Sequence, residues 1–322
     1  MKGKWPIAKY LGSGLLALAT AAFAMPAAAE WPNDKPIRFV IPYSPGGGFD
    51  TIVRAFAPAL EKELGAEVVP ENIAGAGGTK GAATVHRSDP DGYTIGIYNI
   101  PGFTVNQVIG KDMGFNLDEV TWIANLATSR YAVAVKGDSE IDSVEKLCSL
   151  GREAKMSDTG ASSTASVTTR IAFQLLDCPI SDITGYKGSN DAMIAVMRGE
   201  VDATVKPIAS LKKYTDSGDL KIIATFTKDD VLEGIPGATS IGKPELANFD
   251  LRRIIGGPPD LPPEIVEKLS AAFIAAANSA EVQEWANGAG VELEPVGADE
   301  ASAIMSDLAT FYAQYKDMLM AK

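Results

Sequence analysis

The groups best placed to do chemistry in this chain are backbone amides. Pro45-Gly46-Gly47-Gly48-Phe49-Asp50 separates a β-rich run from an amphipathic stretch. Glycine tolerates positive φ and lets the backbone approach a ligand closely. A helix starting here presents free N–H groups and the positive end of its dipole. Together these features make an anion site without a basic side chain. Asp50 either caps that helix or faces a cleft and bonds a ligand hydroxyl, amine or water. Tyr43, Gly47, Gly48, Phe49 and Asp50 are therefore candidate ligand contacts. Gly75-Ala76-Gly77-Gly78-Thr79-Lys80-Gly81 repeats the same physics after a second β-rich run, and adds Ala76, Gly77 and Gly78. Its plainer alternative is a flexible loop. Ser157-Asp158-Thr159-Gly160-Ala161-Ser162-Ser163-Thr164 precedes a third helical stretch. Thr159, Ala161, Ser162, Ser163 and Thr164 supply hydroxyls and N–H groups there, the alternative being simple N-capping by Ser162 or Ser163.

Side-chain catalysis finds little support. The pattern G-x-G-x-x-G breaks at Lys80, and Thr79-Lys80-Gly81 reverses the end of a phosphate loop. Gly160-Ala161-Ser162-Ser163-Thr164 lacks the last glycine of a nucleophile elbow. His86 is the only histidine and stands before the turn-like Arg87-Ser88-Asp89-Pro90-Asp91-Gly92, so a Ser–His–Asp triad has one poor candidate. No Cys-x-x-Cys occurs, and one histidine offers no metal-ligand set. The expectation is a binding protein, not an enzyme, with no metal and no cofactor.

The elements that must position these loops follow from periodicity. Residues 36–42 predict a strand bounded by prolines. Ile52, Val53, Phe56, Leu60 and Leu64 then recur at helical spacing, with Pro58 expected to kink the helix and Gly65 to stop it. Residues 67–70 and 93–98 predict two more strands. A βαβαβ opening implies a parallel sheet with helices on both faces. Two strand-like stretches, 122–126 and 131–135, precede a second α/β run. That run holds a helix over 165–176, a helix capped by Ser189 and ended by Gly199, and strands over 201–205 and 220–226. Residues 230–248 predict a connection and 252–255 a strand. Pro262-Pro263 opens a helix, and a final one runs over 299–319 with Ile304, Leu308, Phe311 and Tyr315 inward. Each donor-rich loop falls at the C-terminal end of a predicted strand, where open α/β sheets bind ligands. A solute held by all three would lie between two lobes.

Composition bounds the rest. Lys2, Lys4 and Lys9, an apolar run over 11–24 and Ala27-Ala28-Ala29 predict an export signal cleaved after Ala29. The run is too short for a membrane span, which needs about 20 apolar residues. The mature chain is expected to be periplasmic and monomeric. The full chain of 322 residues carries 29 basic and 41 acidic side chains. Such an acidic balance excludes a nucleic-acid partner, which needs a basic footprint. Cys148 and Cys178 are the only cysteines. In an oxidising compartment they predict one disulfide, worth roughly 3–4 kcal/mol in the chain-entropy model, the alternative being two buried thiols.

Several motifs together resemble a known family. These are Trp31-Pro32-Asn33-Asp34-Lys35-Pro36-Ile37-Arg38, Ile41-Pro42-Tyr43-Ser44 leading into the first glycine loop, Glu71-Asn72, Gly75-Ala76-Gly77-Gly78 and Pro90-Asp91-Gly92-Tyr93-Thr94. Tyr186-Lys187-Gly188-Ser189, Gly199-Glu200-Val201-Asp202 and Pro262-Pro263-Glu264 extend the likeness over the mature chain. The chain resembles the tripartite tricarboxylate transporter receptors, the TctC-like or Bug solute-binding proteins. The resemblance implies an α/β, two-lobe periplasmic-binding-protein (Venus-flytrap) fold, each lobe a mostly parallel sheet flanked by helices. The expected division is 1–29 signal, 30–128 and 249–322 the first lobe, and 129–248 the second. It also implies capture of a small carboxylate and delivery to membrane permease subunits. A sensory domain feeding a signalling partner, or an extracytoplasmic hydrolase or isomerase, are the competing readings. By resemblance, the loops at Tyr43–Asp50 and Gly75–Gly78 grip one carboxylate and Thr159–Thr164 grips the distal end. Four departures stand out. Arg170 lies near the place of a frequent histidine, Lys206 replaces a small polar residue, Ile73-Ala74 replaces Arg-Pro, and Arg252-Arg253 replaces an aromatic. Lys206 would add positive potential if it faced the cleft.

Overall fold

The computed structural model describes residues 1–3, 31–32, 35–160, 163–186 and 188–320. The expected export signal, apart from residues 1–3, therefore lies outside the described residues, as do Ala161, Ser162 and Lys187.

Strand β1 (Ile37–Ile41) pairs in parallel with β2 (Val68–Asn72) on one side and β3 (Thr94–Ile100) on the other. Helices α1 (Gly48–Leu64) and α2 (Thr79–His86) make the connections. Ile52, Val53, Phe56 and Leu60 form the buried stripe of α1, as a 3.6-residue period requires. The helix runs on through Pro58 and stops at Gly65, whose φ of 67° suits glycine and whose N–H returns to Glu61. Helix α3 (Gly102–Val108) follows β3.

Where the sequence predicts two strands there is one, β4 (Thr121–Lys136), 16 residues long. Residues Thr121 to Arg130 pair antiparallel with β9 (Asp250–Gly257), and Tyr131 to Lys136 pair with β7 (Ala203–Pro207) and β8 (Leu220–Thr225). The polar step Ser129-Arg130 breaks the apolar pattern but not the backbone. There β4 exchanges β9 for β7 and β8 as its partners.

Beyond β4 come α4 (Val144–Cys148), β5 (Ala154–Ser157), α5 (Thr164–Leu175), β6 (Ile180–Ile183), α6 (Ser189–Met197) and α7 (Ile208–Asp216). Strand β5 pairs in parallel with β6 and β7. Helix α6 takes Gly188 as its N-cap, so Ser189 is its first residue and not the cap the sequence predicts. A Cys148–Cys178 disulfide ties the end of α4 to the segment before β6, with Cα atoms 4.9 Å apart. The chain then returns through β9 to α8 (Pro263–Asn278), α9 (Ala280–Ala289), β10 (Leu293–Val296), α10 (Ala298–Ala313) and α11 (Lys316–Met320). The sheet order is β2-β1-β3-β9-β4-β7-β5-β6, with β8 and β10 both on β4.

One core lies between the first sheet, α1 and α8, where Phe39 meets Phe273 edge-on at 5.6 Å. A second runs from Tyr98, Phe103 and Trp122 to Phe226, Phe249 and Tyr312. Each such side chain contributes about 1.5–3 kcal/mol through burial. The final helix departs from expectation. It divides after Ala313, and its buried stripe is Ala301, Met305, Leu308 and Tyr312. Ile304, Phe311 and Tyr315 are half-buried at the edge, because α10 packs against both β4 and α3.

Candidate functional site

The loop after β1 enters α1 through Gly47, whose carbonyl accepts the N–H groups of Asp50 and Thr51, both at 3.0 Å. Asp50 lies in the first turn and is 4% exposed. Its Oδ2 accepts the Gly46 N–H at 2.8 Å, and its Oδ1 accepts Arg54 Nε at 2.9 Å and Asn72 Nδ2 at 3.0 Å. Burial pushes this carboxyl up, but the Gly46, Asn72 and Arg54 donors together hold it below its ordinary value. Asn72 also donates to the Tyr43 carbonyl at 3.0 Å, fastening β2 to the loop. Asp50 thus braces the loop from behind. The N–H groups of Gly48 and Phe49 open the helix and have no acceptor within it.

The second loop is unusual in backbone geometry. Gly75, Ala76, Gly77 and Gly78 have φ of 140°, 50°, 68° and 98°. Only Ala76 carries a side chain through that run, which explains the glycines. Gly78 also has no room for one. A Cβ there would lie 3.1 Å from the rings of Tyr43 and Phe103. Tyr43 packs on Phe49 at 4.8 Å and shares a hydrogen bond with the Asn99 side chain. Burial pushes the Tyr43 phenol up to about 12, so it stays neutral.

Facing these loops is Arg253 of β9, which lies opposite Asn99 of β3. Its Nη1 donates to Ser129 Oγ at 2.9 Å, and its guanidinium lies 5.6 Å from the centre of the Phe49 ring. Its Nη2 is 4.0 Å from where a Cβ on Gly48 would stand. Arg253 Nε and Asn99 Oδ1 are buried without hydrogen-bond partners. Burial pulls this guanidinium below its ordinary value, but arginine remains charged in proteins. Adjacent Arg252 points to the opposite face and pairs with Asp250 at 2.7 Å. The sequence marks Arg253 only as half of a basic pair. The strand register that sets it beside Asn99 and Gly48 has no local signal.

Helix α5 begins close by. Ser163 caps it, its Oγ accepting the Ser166 N–H at 3.1 Å. Thr164 Oγ1 stands 3.0 Å from a Cβ position on Gly102, so the starts of α5 and α3 meet across the cleft. Thr159 is half-buried nearby in sequence, before α5. Lys206 differs from the expectation of a ligand contact. It is 0% exposed, and it donates to Asp158 Oδ1 at 2.7 Å, to the Val205 carbonyl at 3.0 Å and to the Ser157 carbonyl at 3.1 Å. All three ammonium donors are taken. Asp158 Oδ2 also accepts from Thr169 at 2.8 Å. Burial pushes Asp158 up, with Lys206 and Thr169 opposing. Arg170 lines a separate concavity with Gln174, Cys178 and Asp182.

Among the described residues, no cluster of His, Cys, Asp or Glu could hold a metal ion, and no helix is long and apolar enough to cross a membrane. Residues 52–310 match the family described as "Tripartite tricarboxylate transporter family receptor". A protein of the TAR-I ttuE-ttuC' intergenic region of Agrobacterium vitis is 27% identical over 275 residues, 82% of this chain and 78% of its own length. A TctC solute-binding protein from Polaromonas superposes with a TM-score of 0.78 at 23% identity, over 89% of this chain and 99% of that one. An R. palustris protein solved with adipate superposes with a TM-score of 0.72 at 21% identity, over 90% and 98% of the two chains. The chain belongs to the tripartite tricarboxylate transporter family receptors.

Proposed function

We propose that the mature protein, from residue 30, works as a monomer in the periplasm, closing its two lobes on a small organic carboxylate and delivering it to tripartite-transporter permease subunits. Residues 30–128 and 249–322 make one lobe and residues 129–248 the other. The observation that carries the reading is the state of the first glycine loop. Its own carboxylate, Asp50, is fully engaged with Gly46, Arg54 and Asn72, which leaves the Gly48 and Phe49 amides at the start of α1 to be satisfied by an external anion. The Gly75–Gly78 loop lies against the same aromatic pair, Tyr43 and Phe103, and completes that wall. Ser163 and Thr164 supply the opposite wall at a second helix start, together with Thr159, Ala161 and Ser162 in the proposed contact set. A related fold carrying adipate supports a carboxylate as the solute.

The test is a thermal-shift and calorimetry screen of C4–C6 dicarboxylates, hydroxy acids and aromatic acids on the mature chain. A solute at 100 times its Kd stabilises by about 2.7 kcal/mol. Gly48→Val should abolish the shift while leaving the unliganded melting temperature nearly unchanged. The new side chain adopts an ordinary helical conformation and projects toward the Arg253 guanidinium. Wild-type affinity in Gly48→Val would refute the proposed wall.

A further inference from the structure

We infer that Arg253 is the charge reader of the cleft, pairing directly with a carboxylate of the solute and setting the receptor's preference for the ionised acid over its neutral derivatives. The inference rests on the receptor reading above and goes further, since amides alone do not require a full negative charge.

Several other arginines are paired with protein carboxylates, while Arg170, whose Nε is also buried without a partner, lies away from the glycine loops beside Gln174, Cys178 and Asp182. Arg38 pairs with Glu71, Arg54 with Asp50, Arg152 with Asp202 and Arg252 with Asp250. Arg253 has no such partner among the described residues; its one hydrogen bond goes to the neutral hydroxyl of Ser129. A partly buried guanidinium without a counter-charge is costly unless something completes it. Arg253 Nε is a buried donor with no acceptor among the described residues, and an anionic acceptor would supply both the missing hydrogen bond and the missing counter-charge.

The surroundings say where that partner sits. Arg253 is held in place by Ser129 Oγ and the face of Phe49. Gly48 leaves space beside its Nη2 that any side chain would fill. A carboxylate in that space meets the planar guanidinium on one side and the Gly48 and Phe49 amides at the start of α1 on the other. Asn99, the cross-strand neighbour of Arg253, keeps a buried and unpartnered Oδ1. A hydroxyl or amino group next to the solute carboxylate, or a water carried in with it, would satisfy that oxygen. The class of solute is thus a carboxylic acid bound in its ionised form, with the acid group seated at the hinge.

The experiment compares succinate, malate, adipate and benzoate with their corresponding amides, by thermal shift and then calorimetry, on wild type, Arg253→Gln and Arg253→Lys. For the acid that binds wild type, discrimination over its amide should be about 30-fold or more, the loss expected when one partner of a buried charge pair is removed. In Arg253→Gln that ratio should fall to about threefold or less, and Arg253→Lys, which keeps the charge but not the fork, should lie between. A merely structural role would weaken acid and amide alike and leave the ratio intact, which would overturn the inference. Equal affinity of wild type and Arg253→Gln for the acid would also overturn it while leaving the receptor reading standing. If Arg253→Gln fails to fold, the Lys variant decides, since an unchanged ratio there with wild-type affinity removes the guanidinium from recognition. Failure of every acid to bind wild type would overturn the receptor reading and the inference together.

Discussion

Replacing Lys206 by methionine should cost stability and leave solute recognition alone. The ammonium is 0% exposed and bonded to Asp158, which is also 0% exposed, and to two carbonyls. Methionine fills much the same volume but leaves the Asp158 carboxylate with Thr169 as its remaining hydrogen-bond donor. Removing one member of a buried pair costs about 3–5 kcal/mol, because the surviving charge is uncompensated. For a protein of this size that is a fall in melting temperature of roughly 5–8 °C. Asp158→Leu combined with Lys206→Met should recover most of the loss, since an apolar pair of similar volume is often neutral or better. The deficit also has a pH signature. Burial already holds Asp158 above its ordinary value, and losing Lys206 raises it further. A raised carboxyl contributes stability below its unfolded pKa and loses it as pH rises through the folded one. The Lys206→Met deficit should therefore be smaller near pH 5 than at pH 8. Urea titrations at the two pH values, with calorimetry of the best carboxylate, make the measurement. A Lys206→Met protein within about 1 kcal/mol of wild type that loses solute binding tenfold would refute the reasoning and put Lys206 in the cleft.

Gly81→Ala and Gly288→Ala both place alanine inside a helix, where it should gain about 1 kcal/mol. Gly288 should show that gain, with nothing within 4 Å of a new Cβ, whereas Gly81 should lose about 1–3 kcal/mol because its Cβ would stand 2.7 Å from Pro42 Cα and 2.8 Å from the Ile73 carbonyl. Thermal melts that show the same sign for both would refute the steric account. Cys148→Ser with Cys178→Ser removes a cross-link between residues 30 apart and should cost about 3–4 kcal/mol in urea titration, with calorimetric affinity for the bound carboxylate unchanged. Asp250 is buried beside Arg252, and burial pushes its carboxyl up to about 6 against that arginine's pull. Its contribution is full below the unfolded value near 4 and lost as pH rises through 6, on the order of 2–3 kcal/mol. Asp250→Asn should flatten the stability profile between pH 4 and 7, and an unaltered slope there would contradict the assignment.

Local features were legible from the residues alone. The β1–loop–α1 unit, the stop at Gly65 and the glycine loops depend on neighbours along the chain, through side-chain period and permitted φ. Some of the motifs that resemble the receptor family, Ile41–Ser44 and Gly75–Gly78 among them, sit in those same segments. Partnership across the sheet was not legible. Residues 122–126 and 131–135 share one strand because β4 pairs with different neighbours in its two parts, and a polar step in the middle of a strand looks like a turn until those partners are known. The buried stripe of α10 is displaced from the expected one because two surfaces pack on it. Lys206 is a cleft cation by its position in sequence and a core ion pair once Asp158 is folded against it. Arg253 gains its meaning from Gly48, Asn99 and Ser129, three residues far away in the chain. The chain's own order determined where the backbone can turn and offer amides. Only tertiary structure decided which charges lose water and which are left without a partner, because desolvation is set by what distant segments bring alongside.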